Sequence, residues 1–165
     1  MKSVLKKIGL FLLVCLVIIQ FIRPAKNVNA VDTNKQIAAV APLPQDVTTI
    51  LQKACYDCHS NNTTYPWYCN IQPVYFWLND HIKEGKGELN FDEFATYRLR
   101  KQFGKMKKVI SEVKEEEMPL PSYTWIHKNA ILTDAEKTTI INWATSIMDT
   151  MKAKYPIDSL VKKKG

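Results

Sequence analysis

Five consecutive residues, Cys55-Tyr56-Asp57-Cys58-His59, bring two thiols and an imidazole within reach of one another. C-x-x-C-H is the spacing at which c-type haem is attached. Two thiols can add across the two vinyl groups of one porphyrin if both lie on one side of a helical turn. Cys55 and Cys58 are spaced for that, and the adjacent His59 then offers its imidazole to the iron. Two other chemistries use the same residue types. A thioredoxin-like redox pair needs its C-x-x-C near a βαβ pattern, and no such alternation occurs in the chain. A zinc site would draw on Cys55, Cys58, His59 and Cys69, but adjacent Cys58 and His59 are awkward tetrahedral ligands and no second C-x-x-C supports them.

A haem iron used for electron transfer takes a second axial ligand. Met106, Met148 and Met151 fall on apolar helical stripes and read as core. Met118 does not. It follows Glu115-Glu116-Glu117 off a helix end and precedes Pro119-Leu120-Pro121, whose prolines stiffen an extended loop. Met118 is therefore the expected distal iron ligand. His81, on a helix, is the alternative and would give a bis-His site. His127 is a further imidazole that could pack near the haem edge.

The compartment is read from the N-terminus. Lys2, Lys6 and Lys7 precede an apolar run from Ile8 to Ile22 broken only by Gln20. This is the layout of a signal peptide or a signal anchor. Residues 1–22 are expected to be a retained transmembrane helix, with the lysines snorkelling and the rest of the chain on the extracytoplasmic, periplasmic side of a bacterial inner membrane. The net charge of +7 resides at the chain ends: residues 31–148 carry 13 basic and 14 acidic side chains. No basic stripe is left to track phosphates, so a nucleic-acid partner is not expected.

Positioning these groups falls to helices. Residues 23–45, with Pro24, Pro42 and Pro44, read as a linker, and 153–165 as a basic tail. Between them, 46–152 read as one all-α domain. A first helix is expected from Asp46 as N-cap to Ala54, running into Cys55. A second runs from about Pro73 to Gly85, and a third begins after Asn90 with Phe91, Phe94 and Tyr97. Leu99, Phe103, Met106, Ile110 and Val113 form the next apolar stripe. The last helix opens on a capping box, Thr133-Asp134-Ala135-Glu136, and buries Ile140, Ala144, Ile147, Met148 and Met151.

Several stretches together resemble one family. They are Cys55–Asn61, Tyr65-Pro66-Trp67-Tyr68, Gly87-Glu88-Leu89-Asn90-Phe91, Glu117-Met118-Pro119-Leu120 with Tyr123, and Leu132-Thr133 before Trp143-Ala144. The chain resembles the bacterial membrane-anchored haem-binding domain family, relatives of class I cytochromes c, over about residues 45–146. The resemblance implies a small cytochrome c-like helical domain carrying haem c, with His59 and Met118 as iron ligands. Cys69 departs from it, standing where a small polar residue is expected. The expected function is a one-electron carrier, not an enzyme, serving redox partners that the sequence does not name. A haem-based sensor, a peroxidase using His127 or His81, and a zinc-stabilised interaction module are the alternatives.

Overall fold

The structure is a computed structural model and describes residues 1–162. Among these residues there are eight α-helices and no strand. An isolated antiparallel bridge joins Val28 to Asn62. The all-α expectation therefore holds.

Helix α1 covers Lys2–Ile19, α2 Gln45–Ala54, α3 Tyr56–His59 and α4 Val74–Glu88. Helix α5 covers Leu99–Lys114, α6 Pro121–Thr124, α7 Asp134–Lys154 and α8 Ile157–Leu160. The main core forms where α5 packs on α7. Met106 and Ala144 are completely buried there, with Phe103, Ile140, Trp143 and Ile147 around them. This is the stepping by three and four that the sequence shows, turned inward. Helix α7 starts at the expected capping box: the Thr133 hydroxyl accepts from the Glu136 N–H, and the Glu136 carboxylate accepts from the Thr133 N–H. A second, smaller core gathers Tyr68, Cys69, Tyr75, Leu78 and Ile82 between α4 and the loop before it.

The expected membrane helix is corrected. Helix α1 forms, but no helix among the described residues is long and apolar enough to cross a membrane. Lys2, Lys6 and Lys7 occupy its first two turns, and Ile8–Ile19 spans only about 18 Å at 1.5 Å per residue. It stops short of Ile22 because Gln20 turns to the domain: its side chain donates to the Gln72 carbonyl (3.1 Å) and accepts from the Gln72 N–H (2.9 Å).

Other boundaries differ as well. The stretch 23–45, read as a linker, lies against the domain. Ile37 is buried, and the Trp143 indole donates to the Pro42 carbonyl (2.9 Å). The third helix, expected from Asn90, is absent. The backbone of Phe91 is committed elsewhere, its N–H donating to the His59 carbonyl (2.8 Å) and its carbonyl accepting from Ile37 (2.9 Å). Only a 3-10 turn, Phe94–Thr96, forms there. Helix α2 begins two residues early, at Gln45, with Pro44 rather than Asp46 at the N-cap position and no side-chain cap. Helix α4 passes through Gly85 rather than ending there. Within the basic tail, α8 buries Leu160 against the core; Lys163 and Lys164 lie outside the described residues.

Candidate functional site

The C-x-x-C-H segment folds as one tight turn at the end of α2. The Cys55 carbonyl accepts from the N–H groups of both Cys58 (3.2 Å) and His59 (2.9 Å). His59 is then fixed from two directions. Its carbonyl receives the Phe91 N–H, and its Nδ1 lies 2.9 Å from the Leu89 carbonyl. A carbonyl can only accept, so Nδ1 carries the proton and Nε2 keeps its lone pair. Burial holds the imidazole pKa below its ordinary value, against the opposing pull of the Leu89 and Gly85 carbonyls. A neutral ring with a free Nε2 and a hydrogen-bonded Nδ1 is the form in which histidine binds a metal.

Helix α4 crosses directly over this turn, and Gly85 makes the crossing possible. A Cβ on Gly85 would stand 2.8 Å from the Cys58 carbonyl oxygen and 3.0 Å from the Cys58 Cβ. The glycine that reads as a helix terminator is thus a close-approach residue inside the helix.

Beside the turn lies a mostly apolar cavity of about 310 Å³. Leu51, Val109, Val113, Leu120, Leu132 and Ile140 supply apolar wall. Cys55, Cys58, His59 and Met118 all reach its lining, from two separate parts of the chain. His81 lines it too, but its Nδ1 lies 2.9 Å from the Trp77 carbonyl and its ring packs on Trp77 at 4.3 Å. Burial, helped by neighbouring Cys58, pushes the Cys55 thiol up to about 12. Burial, then Asp57, pushes Cys58 up to about 11. Thiols held neutral in this way are the opposite of the lowered thiolate on which a redox pair depends.

The zinc set is not assembled. Among the described residues no group of three or more His, Cys, Asp or Glu side chains is arranged to hold a metal ion, and Cys69 is buried in the smaller core.

Met118 is delivered by the end of α5. The chain reverses at Glu116, whose φ of 61° is left-handed. The Glu117 N–H donates to the Glu112 carbonyl (2.9 Å) and the Glu116 N–H to that of Val113 (3.4 Å), a Schellman closure made without glycine. Pro121 then opens α6 at its first turn.

Tyr123, which the sequence offers only within the family motif beside Met118 and without a role, is part of this site. Its hydroxyl donates to the Asp57 carboxylate (2.7 Å), and burial, then that carboxylate, holds its pKa well above the ordinary phenol value. The Tyr123 ring stacks on His127 at 4.3 Å, and His127 Nε2 lies 2.6 Å from the Tyr68 hydroxyl. His127 is therefore engaged with two tyrosines. In the sequence this cluster is marked by Tyr123 within the family motif and by His127 as an imidazole expected near the haem edge.

An apolar cavity in an all-helical domain, with a free imidazole nitrogen, a thioether and two neutral thiols on its wall, has the donor set of a haem protein. Comparison with protein families matches residues 14–146 to the haem-binding domain. The chain belongs to that family, and its cofactor is haem. No curated protein and no solved structure matches the chain.

Proposed function

We propose that the protein binds haem covalently, as haem c, and serves as a one-electron carrier rather than a catalyst. When bound, the haem supplies an iron that cycles between the ferric and ferrous states. The observation that carries this reading is the single turn Cys55–His59. It presents both thiols to the cavity and leaves His59 Nε2 free while the Leu89 carbonyl fixes the ring. Cys55 and Cys58 would form the two thioether links, and His59 the proximal iron bond. Met118 would supply the distal bond from the opposite part of the chain. The protein's own contribution is to orient these groups, to exclude water with apolar walls, and to hold the imidazole neutral.

Location belongs to the same proposal. Haem c is attached outside the bacterial cytoplasm, and the N-terminal lysines followed by an apolar helix suit export. None of the residues of α1 is buried, and its leucine, isoleucine and valine side chains are largely exposed. Lipid at the outer face of the inner membrane is the natural cover for that surface.

Expression in a host that attaches haem c tests the function. The denatured protein should keep haem staining on a gel and should exceed the polypeptide mass by one haem. Haem extracted by acid acetone would overturn covalent attachment. Replacing Cys55 and Cys58 together by Ala should abolish the haem that survives denaturation.

A further inference from the structure

The cavity wall is mostly apolar, yet haem carries two propionate carboxylates that cannot be left in such surroundings without cations or water. Among the described residues, the lysines that line the cavity are Lys105 and Lys108, one turn apart on α5 and hence on one face. Both ammonium groups converge on one carboxylate oxygen, Glu88 Oε2, at 3.0 and 3.2 Å. We infer that Lys105 and Lys108 are the propionate-binding rim of the haem cavity, and that Glu88 is an internal carboxylate standing in that place. This rests on haem being the cofactor.

Three observations support it. The Lys105 side chain is only 18% exposed, so its position is set by packing rather than by free motion in solvent. The two ammonium groups, donating to the Glu88 carboxylate, hold that carboxyl down at about 2, Lys105 contributing most. The Glu88 side chain is 61% exposed and can turn out to water when another carboxylate arrives. The remaining acids on the lining argue the same way. Asp57 is engaged by Tyr123, and Glu84 and Glu112 repel a propionate, leaving the lysine pair as the favourable place for one.

Resonance Raman spectra of the full-length protein with its haem, together with its reduction potential, test the assignment. In Lys105→Gln/Lys108→Gln the propionate bending bands should shift, and the potential should fall because ferrous iron loses nearby positive charge. In Glu88→Gln the bands should stay where they are, and the potential should rise. Wild-type bands in the double variant, or bands that move only in Glu88→Gln, would overturn the proposal. Should the double variant fail to accumulate with haem, Lys108→Gln, at a half-exposed position, asks the same question with a smaller shift expected. Haem that dissociates on denaturation would defeat covalent attachment but leave this test intact, because the propionates are present either way. Protein that never takes up haem would overturn both.

Discussion

His59 is gripped at three points, whereas Met118 hangs from the end of a helix. The His59 N–H, carbonyl and Nδ1 are each engaged, with Cys55, Phe91 and Leu89 respectively, and α4 passes within contact of the same turn. Met118 is tethered through its N–H to the Glu112 carbonyl (3.2 Å), beyond a left-handed residue, and its side chain is half-buried. The thiol-and-imidazole side is therefore built into the fold. The thioether side is laid against it by one helix ending. Damage to the first should remove both structure and cofactor, and damage to the second should alter iron chemistry while leaving the domain standing.

The sharpest way to break the first side is Gly85→Ala. The new methyl would meet the Cys58 carbonyl oxygen at 2.8 Å, and backbone on both sides has little room to yield. Overpacking of this kind costs about 1–3 kcal/mol. A lowered melting temperature and a loss of haem-loaded protein are expected. Gly87→Ala is the control: a Cβ there meets nothing within 4 Å, so its melting temperature should match or slightly exceed wild type. Equal behaviour of the two variants would show that α4 does not press on the Cys55–His59 turn.

Next in size is Met118→Ala, read by spectrum rather than by stability. Loss of the thioether should abolish the weak long-wavelength band of a sulfur–iron bond and lower the reduction potential, since a methionine ligand raises it. The melting temperature of the apo domain should change little. His81→Ala should leave the spectrum as it is. If instead His81→Ala changes it and Met118→Ala does not, the site is bis-His, and α4 supplies the distal ligand.

The two sides also differ in how legible they were. The Cys55–His59 motif, the α5 stripe and the Thr133–Glu136 box are local patterns, and each stands where its spacing put it. What could not be read was non-local. The Leu89 carbonyl that sets the His59 tautomer is thirty residues away, and backbone acceptors leave no mark on side-chain type. Gly85 reads as a helix end because glycine signals both termination and close approach, and only the neighbour, Cys58, decides between them. The segment after Asn90 has the spacing of a helix. Its buried asparagine instead bonds Asn61 (2.8 Å), twenty-nine residues away, and accepts from the Asp92 N–H (3.0 Å) in a local turn, and together these outweigh the periodicity.

A smaller effect is expected where α2, which leads into Cys55, is tied to α7. The Glu136 carboxylate accepts from Lys53 and from the Thr133 N–H, and these two hold its pKa below the ordinary value of 4.5. A lowered folded-state pKa means stability that is present above about 4.5 and is lost as pH falls through the folded value. Acid should therefore weaken the wild type more steeply than Glu136→Gln in that window. At neutral pH the substitution should cost about 0.5 kcal/mol, because glutamine at this position still accepts from the Thr133 N–H and only the part-exposed ion pair with Lys53 is lost. Parallel acid-unfolding curves for the two proteins would remove Glu136 from the account.

The least effect is expected at Glu116, and its sign is the informative part. At φ 61° a side chain with a Cβ crowds the following carbonyl, at about 1–2 kcal/mol for an L-residue, and glycine does not. Glu116→Gly relieves that crowding. Against it stand the extra freedom of glycine in the unfolded chain and the loss of the Lys137 ion pair (2.6 Å), which is a solvent-exposed contact of little worth. The Schellman bonds from Glu117 and from residue 116 itself are backbone bonds and survive the change. A net gain of about 0.5 kcal/mol is expected by denaturant unfolding, with the spectrum and potential of the haem protein unchanged. A gain in stability with an altered potential would mean that the strained turn, and not only the residue it delivers, sets how Met118 meets the iron. A loss of stability would mean that the Lys137 pair, rather than backbone geometry, is what keeps glutamate at the turn.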